Sequence, residues 1–172
     1  MNDPIIRLAK RGEAERIAEI ELGAIKKFNA LPGFEERFAG VLVRPEKYVP
    51  YVEDGRAFVA VNEWDWPMGF SAVDEMDGEG YLAELDVDFD YQGLGLGRRL
   101  IGAACNWARI SGFRSVLLST FKDVPWNAPY YERHGFRILE PRELLKPGIR
   151  RQREHEAEFL DIETRVFMRK SL

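Results

Sequence analysis

The 172-residue sequence has little of several features that would place it in a specialised class of protein. Its one cysteine, Cys105, excludes an internal disulfide, and no cluster of metal ligands can be built around it. No apolar run reaches membrane-spanning length, and residues 1–7 lack the basic-then-apolar pattern of a signal peptide. We therefore expect a cytoplasmic protein that does not enter a membrane and holds no metal.

The sequence also lacks an excess of positive charge. Against 25 Lys and Arg residues there are 29 Asp and Glu residues, a formal net charge of −4, whereas proteins that bind nucleic acid usually carry a basic excess. The sequence does contain 45% hydrophobic and 31% charged residues, the balance of a globular chain, and no linker or repeat divides it. These counts predict a single domain over residues 1–172 that does not bind nucleic acid.

The pattern of apolar residues predicts an α+β fold with a mixed, mostly antiparallel sheet. Three consecutive strands joined by short turns favour an antiparallel meander, and a strand–helix–strand unit that follows predicts one parallel pair. The predicted strands cover 4–8, 56–62, 68–74, 81–87, 115–120, 136–139 and 164–169. The predicted helices cover 13–27, 34–42, 97–111 and 127–134, and the charged segment 140–158 is expected to form a loop and a solvated helix.

The most informative stretch is the strand 82–87 followed by residues 92–99, Gln-Gly-Leu-Gly-Leu-Gly-Arg-Arg. It predicts a strand that passes through a glycine-rich turn into a helix, whose first amides lack intrahelical acceptors and point at an anion. Arg98 and Arg99 fall in the first helical turn, where the helix dipole disfavours positive charge, and no acidic residue precedes Leu100 there. A bound phosphate or pyrophosphate would supply the missing negative charge. The alternative is that the glycines only allow close packing.

Two motifs together resemble those of the GNAT superfamily of N-acetyltransferases. The turn is not a P-loop, because no Gly-Lys-Ser/Thr follows it, and its glycine spacing is not that of a dinucleotide-binding fold. Val87 lies five residues before Gln92, and the Gln-x-x-Gly-x-Gly pattern that follows resembles motif A of the superfamily. Residues 131–136, Tyr-Glu-Arg-His-Gly-Phe, resemble its Tyr-Glu-x-x-Gly-Phe motif.

The resemblance covers nearly the whole chain in element order and is sharp over residues 81–136. It implies the GNAT-like fold of acyl-CoA N-acyltransferases, a twisted sheet with helices on both faces. It also implies acetyl transfer from acetyl-CoA to a primary amine by direct attack in a ternary complex.

The resemblance further assigns residues to the acetyl-CoA site. The backbone of Leu85 and Val87 would pair with the pantetheine arm, and the amides of residues 93–98 would hold the pyrophosphate. The residues implied for the cofactor are Leu85, Val87, Gln92, Gly93, Leu94, Gly95, Leu96, Gly97, Arg98 and Asn127. Asn127 lies four residues before Tyr131, closer than the usual spacing, and the alternative for its side chain is an N-cap of the short helix.

The resemblance implies Tyr131 as the general acid. A phenol has an ordinary pKa near 10, so it holds a proton at neutral pH and can give it to the departing thiolate. Tyr130 competes for this role, but the spacing to Gly135 favours Tyr131. Glu84 is the first candidate for the base, and Asp86 is the second, because strand alternation puts both on one face. The alternative is that the two acids are merely solvated.

The acceptor site is expected in segments 20–47 and 64–67, whose aromatic residues suggest a partly aromatic pocket. Acidic residues near it would suit a cationic amine, and the acceptor is left open between a small molecule and a peptide amine. A homodimer, common in the superfamily, is left open as well. Two other interpretations remain. One is a non-catalytic acyl-CoA-binding or sensor module, and the other is a nucleotide-binding or structural domain.

Overall fold

The computed structural model describes residues 4–32, 34 and 40–172, which contain seven strands and five α-helices. The strands are β1 (Ile5–Leu8), β2 (Ala57–Val61), β3 (Pro67–Met76), β4 (Glu79–Val87), β5 (Ser115–Phe121), β6 (Arg137–Ile138) and β7 (Arg165–Ser171). The helices are α1 (Ala14–Ile25), α2 (Val49–Glu53), α3 (Leu96–Ile110), α4 (Ala128–Arg133) and α5 (Pro147–Ala157). None of the helices in these residues is long and apolar enough to cross a bilayer.

The strands form one open sheet in the order β1-β2-β3-β4-β5-β7-β6. β2 is antiparallel to β1 and to β3, and β7 is antiparallel to β5 and to β6. β4 and β5 are parallel, with Gly80 opposite Val116 and Tyr81 opposite Leu117, because α3 connects them as a crossover. The mixed sheet and its one parallel pair are therefore confirmed.

The chain divides into two compact units. The first consists of Met1–Val73 and Glu84–Ala104, and the second consists of Asp74–Ala83 and Cys105–Leu172. β3, β4 and α3 each contribute residues to both units. α1 and α2 belong to the first unit, and α4 and α5 belong to the second.

In the first unit, alternation along β2 places helices on both faces of the sheet. Val59 lies in a buried cluster with Ile17 of α1 and Val52 of α2. Its neighbour Ala60 points to the opposite face, where it is buried with Leu96 at the start of α3. The apolar stripe of each helix is thereby covered by one face of the same strand.

In the second unit, α5 and the end of α3 cover opposite faces. Leu117 of β5 is buried in a cluster with Ile149 of α5. Gly80 lies opposite Val116 and so occupies the other face. A β-carbon added at Gly80 would lie 2.9 Å from the β-carbon of Ala108, so glycine at this position lets α3 pack directly against the sheet.

Two segments differ from the sequence prediction, and a third is largely untested. The prediction of a solvated helix within 140–158 was wrong for one face of α5, where Ile149 is fully buried and Glu156 is 7% exposed. Glu156 is held by Arg165 of β7 at 3.0 Å, a partner that helical periodicity does not reveal. The sequence analysis did not predict α2, whose Pro50 lies in the first turn, where proline is tolerated. The predicted helix over 34–42 falls largely outside the described residues.

The start of α5 is capped from the turn between β3 and β4. The carboxylate of Asp77 accepts hydrogen bonds from the backbone N–H groups of Gly148 at 2.7 Å and Ile149 at 3.0 Å. Lys146, which precedes the helix, provides no side-chain cap. Because amides in a first helical turn have no acceptor inside the helix, Asp77 both satisfies them and ties α5 to the sheet of its own unit.

Replacing Asp77 with Asn should lower the free energy of unfolding by about 1–2 kcal/mol. Asn tolerates the positive φ of 54° that Asp77 adopts, but its NH₂ group cannot accept one of the two hydrogen bonds. Chemical denaturation measures the loss. Glu75→Gln is the control, since it removes the same charge from an exposed neighbour, and an equal loss in both variants would contradict the capping role.

Candidate functional site

The first part of the site lies where β4 ends and α3 begins. After Val87 the chain makes a short 3₁₀ turn over Phe89–Tyr91 and reaches Gln92. The side-chain amide of Gln92 donates to the backbone carbonyl of Val87 at 3.2 Å, which ties the turn to the end of the strand. Gly93 and Gly95 follow with φ values of +80° and +75°, a conformation that favours glycine.

The turn leaves open space in front of the helix start. A β-carbon added at Gly93 or Gly95 would have no heavy atom within 4 Å, so close packing does not explain these glycines. The first turn of α3 carries no acidic residue, as the sequence predicted, and Arg98 is exposed. This helix start can bind an anion. Its first amides have no acceptors inside the helix, the space before them is open, and no acidic side chain complements the helix dipole.

The end of β4 is held firmly next to this turn. Leu85 and Val87 pack against a buried cluster that includes Leu96 of α3. The backbone N–H of Asp88 donates to the carbonyl of Met68 in β3 at 2.9 Å. The backbone of Leu85 and Val87, which the sequence analysis assigns to the pantetheine arm, therefore belongs to a fixed strand.

The second part of the site is a polar cluster in the first unit, formed by Glu21, Lys47, Tyr48, Glu84 and Asp86. The ammonium of Lys47 donates to Glu21 Oε1 at 2.9 Å and to Glu84 Oε2 at 3.1 Å. It also lies 4.9 Å from the centre of the Tyr48 ring. Tyr48 is fully buried, and its hydroxyl donates to Oε2 of Glu21.

Asp86 differs from the other two carboxylates of this cluster. Among the residues that the structure describes, it forms no ion pair and no side-chain hydrogen bond, although Lys47 is near enough to influence it. Burial and the carboxylates of Glu84 and Glu21 raise the pKa of Asp86 well above its usual range, and Lys47 offsets this only in part. Asp86 therefore binds a proton at a pH at which an ordinary aspartate is ionised.

Lys47 and Tyr48 keep their protons. Burial acts to lower the pKa of Lys47, but the carboxylates of Glu84 and Glu21 outweigh it, and the net pKa is raised. Burial and the same two carboxylates raise the pKa of Tyr48 as well.

In the described part of the chain, no three His, Cys, Asp or Glu side chains are grouped as ligands for a metal ion.

A further group of candidate residues lies within the second unit, at the start of α4. Asn127 occupies the N-cap position, and its backbone carbonyl accepts from the N–H of Tyr131 at 3.0 Å. Its side chain does not cap the helix, because its amide donates instead to Thr120 Oγ1 at 2.7 Å. Its Oδ1 is buried without a hydrogen-bond partner among the described residues, an arrangement that leaves an acceptor for a ligand.

Tyr131 is buried, and its ring is fixed by aromatic neighbours. Ring centroids lie 5.7 Å away in Tyr130 and 5.6 Å away in Phe136, both edge-on. Tyr130 is half-buried, and its ring centroid lies 4.4 Å from that of His134. The two tyrosines that compete for the acid role thus differ in burial and in packing.

The sequence analysis missed Glu21, Lys47 and Tyr48 as site residues. The segment expected to bind the acceptor, 20–47, contains the first two, but no motif links them to β4. Lys47 and Glu84 are 37 residues apart in the chain, and only folding brings them together. Trp66, from the other expected segment, is half exposed and stacks with Arg16, whose guanidinium carbon lies 4.9 Å from the ring centre.

Residues 27–136 match the sequence model of the acetyltransferase (GNAT) family. The uncharacterized N-acetyltransferase YjcF of Bacillus subtilis is 25% identical over 107 residues, which make up 62% of this chain and 74% of that protein. The matched range includes the glycine turn, Asn127 and Tyr131.

Solved structures share the fold. The PaiA N-acetyltransferase from Thermoplasma acidophilum, determined in complex with coenzyme A, has a TM-score of 0.72 and 15% identity, covering 99% of this chain and 100% of its own. A GCN5-related N-acetyltransferase from Rhodopseudomonas palustris has a TM-score of 0.71 and 21% identity, covering 100% of this chain and 98% of its own. The α+β architecture predicted from the sequence is confirmed by these likenesses.

Replacing Asp86 with Asn should stabilise the protein increasingly as the pH rises from about 4 toward neutrality. Because the pKa of Asp86 is raised in the folded state, the folded protein binds more protons than the unfolded chain above the ordinary aspartate pKa, and its stability falls with pH in that window. Asn does not titrate, so the variant loses this penalty. Melting temperatures of both proteins across pH 4–8 test it, and a constant difference would contradict the shift.

Proposed function

Because the chain belongs to the GNAT family of acetyltransferases, we propose that it transfers an acetyl group from acetyl-CoA to a primary amine. The observation that carries the proposal is the start of α3, where open space lies before unpaired amides and no acidic side chain complements the dipole. The pyrophosphate of acetyl-CoA is the anion that suits this position. The coenzyme A bound to the similar PaiA protein supports the same choice.

The residues present suit the rest of the cofactor. The amides of residues 93–98 bind the pyrophosphate, and the backbone of Leu85 and Val87 pairs with the pantetheine arm. Gln92 keeps the end of the strand in place through its bond to Val87. The buried Oδ1 of Asn127 accepts a hydrogen bond from an amide of the arm. When bound, acetyl-CoA supplies the thioester whose acetyl group is transferred.

Side chains of the protein accept and donate the protons that the reaction transfers. The acceptor amine attacks as a neutral nitrogen, so a carboxylate of β4, Glu84 or Asp86, takes its proton. The new N–C bond forms as the C–S bond breaks, within one ternary complex. The hydroxyl of Tyr131 gives its proton to the leaving thiolate, and its buried, edge-packed ring holds that hydroxyl in a fixed position.

The acceptor is a cationic amine, either a small molecule or a peptide amine. Three carboxylates of the polar cluster face a single lysine, so the cluster carries an excess of negative charge. A positively charged acceptor is drawn to such a surface and concentrated there.

Acetyl-CoA, but not ATP, should raise the melting temperature, by the equivalent of about 2.7 kcal/mol at 100 times its Kd.

Arg98→Glu should weaken acetyl-CoA binding by roughly 3- to 30-fold, because a carboxylate in the first turn of α3 repels the pyrophosphate. The same change should stabilise the free protein by about 0.3–1 kcal/mol, since it complements the helix dipole. Thermal-shift titrations measure both effects.

Arg109→Glu is the matched control, because it makes the same change of charge in the last turn of α3. Eleven residues of helix separate the two positions by roughly 17 Å, about twice the screening length at physiological salt. This variant should lose stability and keep its affinity for acetyl-CoA. No shift with acetyl-CoA in the wild-type protein would favour the structural interpretation of the glycines.

Tyr131→Phe should leave acetyl-CoA binding intact and lower kcat by roughly 10²–10⁴-fold, since it removes only the proton donor. Release of free CoA thiol measures turnover with a panel of primary amines: propane-1,3-diamine, lysine amide, glycine amide and an aminoglycoside. Tyr130→Phe is the control and should keep its turnover. Full activity in Tyr131→Phe would remove the assignment, and binding of acetyl-CoA without transfer to any amine would favour a non-catalytic acyl-CoA-binding module.

A further inference from the structure

Four acidic residues lie on or directly after β4, and three of them are bonded to a cation from another element. The pairs are Glu79–Arg169 at 2.6 Å, Glu84–Lys47 at 3.1 Å and Asp88–Arg16 at 2.6 Å. Asp86 is the exception among these four in the part of the chain that the structure describes. It lies immediately before Val87, in the strand segment proposed to bind the pantetheine arm.

We propose that Asp86 accepts the proton of the acceptor amine. We further propose that Lys47 is a positioning residue, because it binds Glu21 and Glu84 and leaves the carboxylate of Asp86 without a bonded cation among the described residues. The inference rests on the acetyl transfer proposed above. It selects between the two carboxylates that the sequence left as candidates for the base.

Glu84 is the less suitable acceptor because of its partner. Its Oε2 lies 3.1 Å from the ammonium of Lys47 and accepts a hydrogen bond from it. This oxygen is therefore already occupied by a charge-assisted hydrogen bond. Lys47 cannot easily leave, because Glu21 holds the same ammonium through both of its oxygens, at 2.9 and 3.1 Å.

Asp86 has the opposite surroundings. It shares a strand face with Glu84, is half-buried and has no cation bonded to it among the described residues. A base works best when its pKa approaches the operating pH, and the surroundings of Asp86 raise its pKa in that direction. The proton affinity and the free lone pairs that the reaction needs are therefore found on the same side chain.

The charged and titratable groups around Asp86 come from three elements. Glu84 lies on its own strand, Glu21 on α1, and Lys47 and Tyr48 on the segment before α2. The hydroxyl of Tyr48 donates to Glu21 and stays protonated, so the local charge is set by two carboxylates and one ammonium. Removing either kind of charge should move the titration of Asp86 in a definite direction.

The proposed step balances in protons and electrons. The acceptor, bound as a neutral amine, loses one proton to Asp86 as its nitrogen attacks, and Asp86 becomes a neutral carboxylic acid. The nitrogen lone pair forms the bond to the acetyl carbon, and the C–S bond breaks with its electrons on sulfur. Tyr131 protonates that sulfur, and both side chains return to their starting states by exchange with water.

The test is the pH dependence of kcat/KM for the wild-type protein and four variants, using saturating acetyl-CoA and the best primary amine of the panel. Asp86→Asn should lower kcat by roughly 10²–10⁴-fold, remove the acidic limb of the profile and leave the KM for acetyl-CoA unchanged. Asp86→Glu should restore part of the activity, because it returns a carboxylate. Melting temperature and acetyl-CoA binding show that each variant is folded.

Two further variants test the role of Lys47 by shifts of opposite sign. Glu84→Gln removes a negative neighbour, so the acidic limb should move to lower pH. Lys47→Met removes the positive neighbour, so the limb should move to higher pH. A residue with a merely structural role would change activity without moving the limb.

The outcomes separate this inference from the proposed function. An active wild-type protein whose activity falls as far in Glu84→Gln as in Asp86→Asn would overturn the assignment of the base. Shifts of the same sign in Glu84→Gln and Lys47→Met would overturn the role of Lys47. A wild-type protein that binds acetyl-CoA and acetylates no amine would instead overturn the proposed function, and the inference with it.

Discussion

The compensation of carboxylates along β4 is the constraint on which much of the structure depends. A carboxylate taken out of water destabilises the fold unless a cation or hydrogen-bond donor meets it. Glu79 is met by Arg169 of β7 within the second unit, and Glu84 is met by Lys47 within the first. Each pair links β4 to a residue that is distant in the chain and lies in the same unit.

The exceptions to this compensation coincide with the residues proposed for function. Asp86 has no bonded cation among the described residues, and the Oδ1 of Asn127 is buried without a partner there. Gly93 and Gly95 adopt left-handed backbone conformations beside open space. The uncompensated carboxylate and the unpaired amide oxygen cost stability in the free protein and are explained if a ligand completes them, whereas glycine adopts this backbone conformation without strain.

Much of the fold could be predicted from local patterns. The apolar periodicity predicted a helix over 97–111 that the structure has as Leu96–Ile110, and the connection through that helix predicted the parallel pair of β4 and β5. The prediction failed for α5, whose charged sequence looked solvated. Glu156 on that helix is buried because Arg165 of β7 and Ser119 of β5 satisfy it, and no pattern within the helix contains this information. The prediction of one domain stays a prediction.

The candidate site also has features that the sequence predicted and features that it did not. The sequence by itself determined the glycine turn and its capacity for an anion, because unpaired amides at a helix start and positive φ at glycine arise among neighbouring residues. It also determined that Glu84 and Asp86 share a face, because strand alternation is local. Only the tertiary structure decided that they differ, since Lys47 and Glu21 reach β4 from other elements. Electrostatic interactions depend on distance in space, and spacing along the chain does not encode that distance.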